Sequence, residues 1–226
     1  AAAIGGAGAG ASATSSVNPT LESYAGSGAI LNAKNDITVS ATSLNVSNTK
    51  TIGAAGGMAA VGTSIATANA NGSVKAYVSG TVTTARDLNV TAYATDSAKA
   101  ESYAVAGGIV SGSGSVATAI VSPVVEAYAT GSLTTTRAIN VSATVKPRAE
   151  AYAFGVAAGG LSVGLSNATA KTTPTVNAYV GGTLTTGSLS VQAMQVLPSA
   201  GESAYAKATG SAGALIGVAS TSATAI

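Results

Sequence analysis

The chain has no cysteine, no histidine and no tryptophan, one phenylalanine, and charged side chains at only 8% of its 226 positions. Each shortage closes a class of function. Without His or Cys, the commonest nucleophiles, general bases and transition-metal ligands are missing, and no disulfide framework can form. Ten basic and eight acidic residues, a net charge of +2, make no basic stripe, which argues against nucleic acid as a partner. Long hydrophobic runs are missing as well. The weakly polar stretch 151–165 is interrupted by Gly155, Gly159, Gly160 and Ser162 and is shorter than the roughly 20 residues of a spanning helix, so no membrane span is expected in this segment. Disordered chains combine low hydrophobicity with high net charge, whereas 46% of these residues are hydrophobic. The chain is therefore expected to fold, with a surface of Ser, Thr, Asn and Gly.

What is present is a repeat. Tyr24, Tyr77, Tyr103, Tyr128, Tyr152, Tyr179 and Tyr205 recur at intervals of 24 to 27 residues apart from one gap near Lys50, and Pro19, Pro123, Pro147 and Pro174 each precede a tyrosine by five residues. A longer period shows in AYVSGTVTTARDLNVTA (76–92), AYATGSLTTTRAINVSA (127–143) and AYVGGTLTTGSLSVQA (178–193), each 51 residues from the last, with a looser copy at 23–41. Gly-rich relatives at 55–70, 106–121 and 158–171 lie between them. PVVEAYA (123–129) and PRAEAYA (147–153) suggest that both half-repeats return to one corner. The opening 4–17 is similar to the interior 109–120, so residues 1–226 read as a single repetitive segment, a window of a longer chain.

Residues alternate strictly around the tyrosines. Arg148, Glu150, Tyr152 and Phe154 fall on one face and Ala149, Ala151 and Ala153 on the other; Ser73, Lys75 and Tyr77 oppose Val74, Ala76 and Val78. Period two means a strand with one buried face, and the charges place the tyrosines outside. Further strands put Leu88, Val90, Ala92 and Ile139, Val141, Ala143 inside. These signals predict an all-β fold, a parallel β-solenoid (β-helix) of about nine coils of about 25 residues pairing into the 51-residue repeat. Its small inward residues predict a narrow or flattened section.

Two groups of side chains stand out on the predicted surface. Tyr77, Tyr103, Tyr128, Tyr152 and Tyr179 form a candidate lateral contact stripe, with ring stacking from coil to coil as the competing reading. Glu101, Glu126 and Glu150 form a candidate surface carboxylate ladder, read as a solvated face beside Lys75, Lys146 and Arg148. Asp36, Asp87 and Asp96 stand alone without a calcium-loop pattern, and the Gly-rich 6–12 and 111–115 lack the Lys and helix of a phosphate loop. No catalytic, cofactor or metal residue is assigned, and the chain is read as a non-enzyme. Open sheet ends and few charges predict association with copies of itself, end to end or laterally.

The succession A-Y-V-x-G-x-L-T-T, L-N-V-x-A, A-x-A-x-A-G-G resembles the repeats of large bacterial filamentous adhesins, the haemagglutinin-like and leukotoxin-like exoproteins. The resemblance implies a secreted, extracellular or cell-surface fibre serving adhesion, aggregation or matrix formation, with host or matrix glycans as further partners, and it carries over no site residues. Two other classes are weighed. An ice- or surface-binding solenoid would use Thr ranks such as Thr81/Thr83 and Thr183/Thr185, and a carbohydrate-active solenoid enzyme would need a groove of clustered acids.

Overall fold

The computed structural model describes residues 5–226, and every regular element among them is a strand. None of these residues forms a helix long and apolar enough to cross a membrane. The strands follow one another in rungs. A partial rung supplies β1 (Gly6–Val17); the next holds β2 (Thr20–Ala25), β3 (Ile30–Asn32), β4 (Ile37–Gly56) and β5 (Ala59–Ala70). A third holds β6 (Ser73–Val78), β7 (Thr81–Thr84), β8 (Asp87–Gly107) and β9 (Val110–Val121), and a fourth β10 (Val124–Thr134) and the 35-residue β11 (Ala138–Thr172). The last holds β12 (Thr175–Thr185), β13 (Ser188–Gln195) and β14 (Ala204–Ala225).

All strand pairings are parallel and connect successive rungs. Val74 pairs with Val125, Leu88 with Ile139 and Val110 with Leu161, the partner in each case lying one full long repeat further along the chain. This β-solenoid-like stack corrects the expected coil. Strands that share hydrogen bonds come from successive copies of the long repeat, so the half-length coil is not what stacks. Each half-repeat instead contributes to both layers and builds one end of a single flattened rung around its own core. One layer is the long wall β4–β8–β11, continued by β13 and the first half of β14; the other sets β2–β6–β10–β12 and β1–β5–β9 side by side, extended by the second halves of β11 and β14. At strand spacing five levels of the β1–β5–β9 wall make a stack about 24 Å high, not the longer rod that nine coils would give.

The alternation expected from sequence is present along each wall. Ala149, Ala151 and Ala153 are sealed inside while Tyr152 and Phe154 point out, and Val74, Ala76 and Val78 are buried opposite Lys75 and Tyr77. Inward residues fall into two main cores and a small third cluster of Ala55, Ala60 and Ala106. Val74, Val78, Val82, Leu88, Val90, Leu133, Ile139 and Val141 fill one end, each such aliphatic side chain worth roughly 1.5–3 kcal/mol of burial. Alanines 66, 68, 98, 100, 117, 119, 149, 151 and 168 fill the other, where the layers come closer. There a Cβ on Gly53 would lie 2.1 Å from the Thr63 carbonyl oxygen, and one on Gly62 would lie 2.4 Å from that of Val105. Serine hydroxyls bridge this gap: Ser102 donates to the Ser64 carbonyl at 2.8 Å and Ser115 to that of Ser102 at 2.7 Å.

The prolines do not share one corner. Pro19, Pro123 and Pro174 follow one another at the junction of β1–β5–β9 with the β2–β6–β10 wall, the level between them being Gly72. Pro147 lies within β11 on the facing wall, opposite Asp96 of β8 and within the column begun by Asn45. Pro198 precedes a loop at the same place in the last rung. There an insertion shifts the register between the Val145–Gln195 and Ala149–Ala204 pairs, and Gly201, at φ 84°, donates its N–H to the Pro198 carbonyl. A second insertion, between Ala25 and Ile30, accounts for the wider spacing of β2 and β6.

Ala151→Leu should cost about 1–3 kcal/mol by overpacking the Ala-lined core, whereas Ser142→Leu, outward on the same strand, should change stability by no more than about 0.5 kcal/mol. Urea unfolding followed by circular dichroism checks both, and equal effects would contradict the inward assignment.

Candidate functional site

Because one rung takes up the whole long repeat, the tyrosines divide between opposite surfaces. Tyr24, Tyr77, Tyr128 and Tyr179 make one column on the β2–β6–β10–β12 wall, with ring centroids 4.9, 4.7 and 4.8 Å apart and planes within 9° of parallel. Stacked at the strand spacing, each inner ring gives both faces to its neighbours, and only edges and hydroxyls remain for solvent. Glu22, Lys75, Glu126 and Asn177 run beside them, two residues upstream. Lys75 and Glu126 form an ion pair at 2.9 Å, and this hydrogen bond raises the lysine pKa. The Tyr128 phenol is pushed up by burial and then by its tyrosine neighbours, and that of Tyr179 by burial and then by Glu126. The column is thus a stack whose inner rings cover one another beside the paired Lys75 and Glu126.

Tyr103 and Tyr152 are not part of it. They lie on the outer face of the long wall, in adjacent columns: Lys50–Glu101–Tyr152–Lys207 and Ile52–Tyr103–Phe154–Thr209. The five-tyrosine stripe expected from sequence is therefore split in two, since the tyrosine-bearing segments of the two half-repeats lie in opposite layers. The long-wall rings also pack differently. Tyr103 meets Phe154 at 6.2 Å with planes 49° apart, and Tyr152 meets Tyr205 at 5.5 Å and 43°. The Lys50 ammonium lies 5.2 Å over the Tyr103 ring and that of Lys99 5.4 Å over Tyr152, a cation–π arrangement. Tyr103, Tyr152, Phe154, Lys207 and Thr209 line an open groove of about 340 Å³. Here the ring faces are not used up by one another.

The carboxylates do not form a ladder. Glu126 is on one layer, Glu101 and Glu150 on the other, in adjacent columns. Each has its own cation: Lys75 for Glu126, Lys99 for Glu101 at 2.9 Å, and Arg148 for Glu150. At the edge of the stack Arg86 reaches back one rung to grip Asp36 through Nε and Nη2, at 2.8 and 2.7 Å, and Arg137 grips Asp87 in the same way. The Arg86 hydrogen bond holds the Asp36 carboxyl below its ordinary range. Among the described residues no three Asp, Glu, His or Cys side chains gather as a metal site would need.

The Thr pairs are also broken up. Thr183 stacks on Ser132 and Thr185 on Thr134, and Thr81 on Ile30. The longer rank, missed in the sequence, is Thr14, Thr67, Thr118, Thr169 and Thr224, five levels deep on the outer face of the β1–β5–β9 wall. Its members follow one another at unequal intervals along the chain, which conceals the rank.

Comparison of the chain with known protein families, with curated proteins and with solved structures finds no match.

Among the described residues two carboxylates are buried, Asp87, which is paired with Arg137, and Asp96, which has no charged partner. Asp96 is fully buried at the waist between the two cores; its Oδ1 accepts from Asn45 Nδ2 at 2.6 Å and its Oδ2 has no partner. Burial raises its pKa above 3.8. The folded state therefore binds this proton more tightly than the unfolded one, and ionising Asp96 subtracts stability as the pH rises from about 3.8 to the raised value. Asp96→Asn should stabilise the stack at pH 7 by about 1–3 kcal/mol, the scale of one unsatisfied buried group. In urea unfolding at several pH values, the gain should vanish below pH 3.8; a gain that did not change with pH would show that the folded and unfolded states hold this proton equally, against the raised pKa.

Proposed function

We propose that the chain is a structural repeat region of an extracellular or cell-surface fibre, secreted, self-associating and without catalysis of its own, serving adhesion, aggregation or matrix formation. The observation that carries this reading is the open parallel stack. Val125, Ala127, Ala129 and Leu133 are sealed in the fourth rung, whereas their partners Val176, Ala178, Val180 and Leu184 in the last rung are only partly covered. A further rung, from the same chain or another copy, would seal them by the same register. The likeness of the repeats to those of filamentous adhesins supports the same reading. So does the placement of chemistry on outer faces, since the interior is filled by small side chains. Host or matrix glycans fit the long-wall groove, where Tyr103, Tyr152 and Phe154 offer ring surface beside the Lys207 ammonium.

Electron microscopy of the purified segment, with sedimentation over a range of concentrations, tests the reading. It predicts elongated particles that lengthen or bundle with concentration and show a repeat near 4.8 Å along their long axis. Compact monomers that neither assemble nor adhere at any concentration would overturn it.

A further inference from the structure

The outer face of the β1–β5–β9 wall, extended by the second halves of β11 and β14, is unlike the other outer faces. Its outward positions run from Gly6, Ala59, Val110, Leu161 and Ile216 at one margin to Ser16, Asn69, Ile120 and Lys171 at the other. Of the chain's eighteen charged residues, Lys171 alone lies on it, at its margin. Meanwhile Val61, Val163, Leu165, Ile216 and Val218 are 55, 41, 51, 68 and 59% exposed. Twelve-residue strands over five levels give about 40 Å by 24 Å. That is about 950 Å², more than the roughly 800 Å² per partner of a stable specific interface.

We infer that this wall is a lateral interface between two copies of the chain, packed wall to wall. The inference rests on the self-association reading above and moves the lateral contact away from the tyrosines, whose stacked column leaves free ring faces only at its ends, Tyr24 and Tyr179, and whose long-wall members sit among lysines and glutamates. Three observations favour a second copy. The face lacks the charges that would repel or steer an unlike partner. Its area suffices for a dimer. Its relief is self-complementary: a two-fold axis lying in the interface along the central strand, β9, keeps each position along the strands and reverses the levels. Gly6 and Gly8 of one copy then oppose Ile216 and Val218 of the other, Val61 opposes Val163, and Gly112 and Gly114 meet their own counterparts. The trough of about 350 Å³ between Gly114, Val116, Leu165 and Asn167 would be closed by the same movement. Strand directions coincide across such an interface, within the small angles of aligned sheet packing.

Charge placed on the wall tests the inference. Sedimentation velocity on the intact chain, Val163→Lys/Leu165→Lys, Thr118→Lys and a long-wall control, Ser97→Lys/Ser142→Lys, follows association, with circular dichroism following the fold. Both wall variants should retain strand content and associate only at concentrations at least tenfold higher, while the control associates like the native chain. Thr118→Lys, replacing an outward side chain clear of either core, keeps the test valid should the double variant unfold. If wall variants and native chain associate alike, the interface is elsewhere and the self-association reading survives. A native chain that is monomeric at every concentration would overturn both. A monomer whose wall instead gives thermal hysteresis, lost on adding lysine, would put ice on this face and overturn the inference.

Discussion

Two β-sheets can approach within reach of a serine hydroxyl only where neither presents more than a few atoms to the other, and that constraint governs this molecule. At the Ala-lined end the facing backbones leave no space for a Cβ at Gly53 or Gly62, and hydroxyls of Ser102, Ser115 and Ser166 donate directly to carbonyls of the opposite layer. A carbonyl already paired along the stack has a second lone pair to offer, so these polar groups are buried without being orphaned. The layers are thereby tied by hydrogen bonds as well as by apolar contact. Between these layers the interior is filled by Ala and Ser side chains.

The outer faces have distinct chemistry. The β2–β6–β10–β12 wall carries the stacked tyrosines beside the alternating Glu22, Lys75 and Glu126. The long wall carries tilted rings and the Lys99–Glu101 and Arg148–Glu150 ion pairs, and the β1–β5–β9 wall is nearly free of charge. Among the described residues three of the six ion pairs reach along the axis, Arg86 to Asp36, Arg137 to Asp87 and Lys75 to Glu126, and the other three lie within one rung. Between the two cores the waist holds Asp96 and Pro147 on one wall, facing the Pro–Gly junction on the other. The buried carboxylate is the one charged group among several buried polar atoms without a partner in the described residues, the Ser113 and Ser162 hydroxyls being among the others.

The inward and outward faces of 73–78, 88–92 and 148–154 were legible in the sequence because alternation depends only on the pleat. The parallel stack was legible because similar segments recur. Rung length was not. Tyr128 and Tyr152 sit in nearly identical contexts, AYA after a glutamate, yet face away from each other on opposite layers. Each layer of a flattened rung needs the same small-residue strand, so a half-period can arise without a half-length coil. The single tyrosine stripe and the carboxylate ladder both depended on that half-length coil. The Thr14–Thr224 column was hidden for a different reason, the two insertions that make its spacing uneven. The bareness of the β1–β5–β9 wall was present as the lack of charge in 110–121 and 161–169, but only the register gathers those segments on one surface.

The distance between spin labels on cysteines introduced at Tyr77 and Tyr103 tests the full-repeat rung most directly, since the native chain has no cysteine. In the flattened rung these residues lie on opposite layers. Tyr77 faces away from the region of Thr91, and twelve further residues along the long wall lead to Tyr103, which puts the pair upward of about 30 Å apart by strand rise. Pulsed electron paramagnetic resonance should find that separation. A separation of about 10 Å or less, roughly two strand spacings, is what neighbouring half-length coils require, and finding it would contradict the architecture.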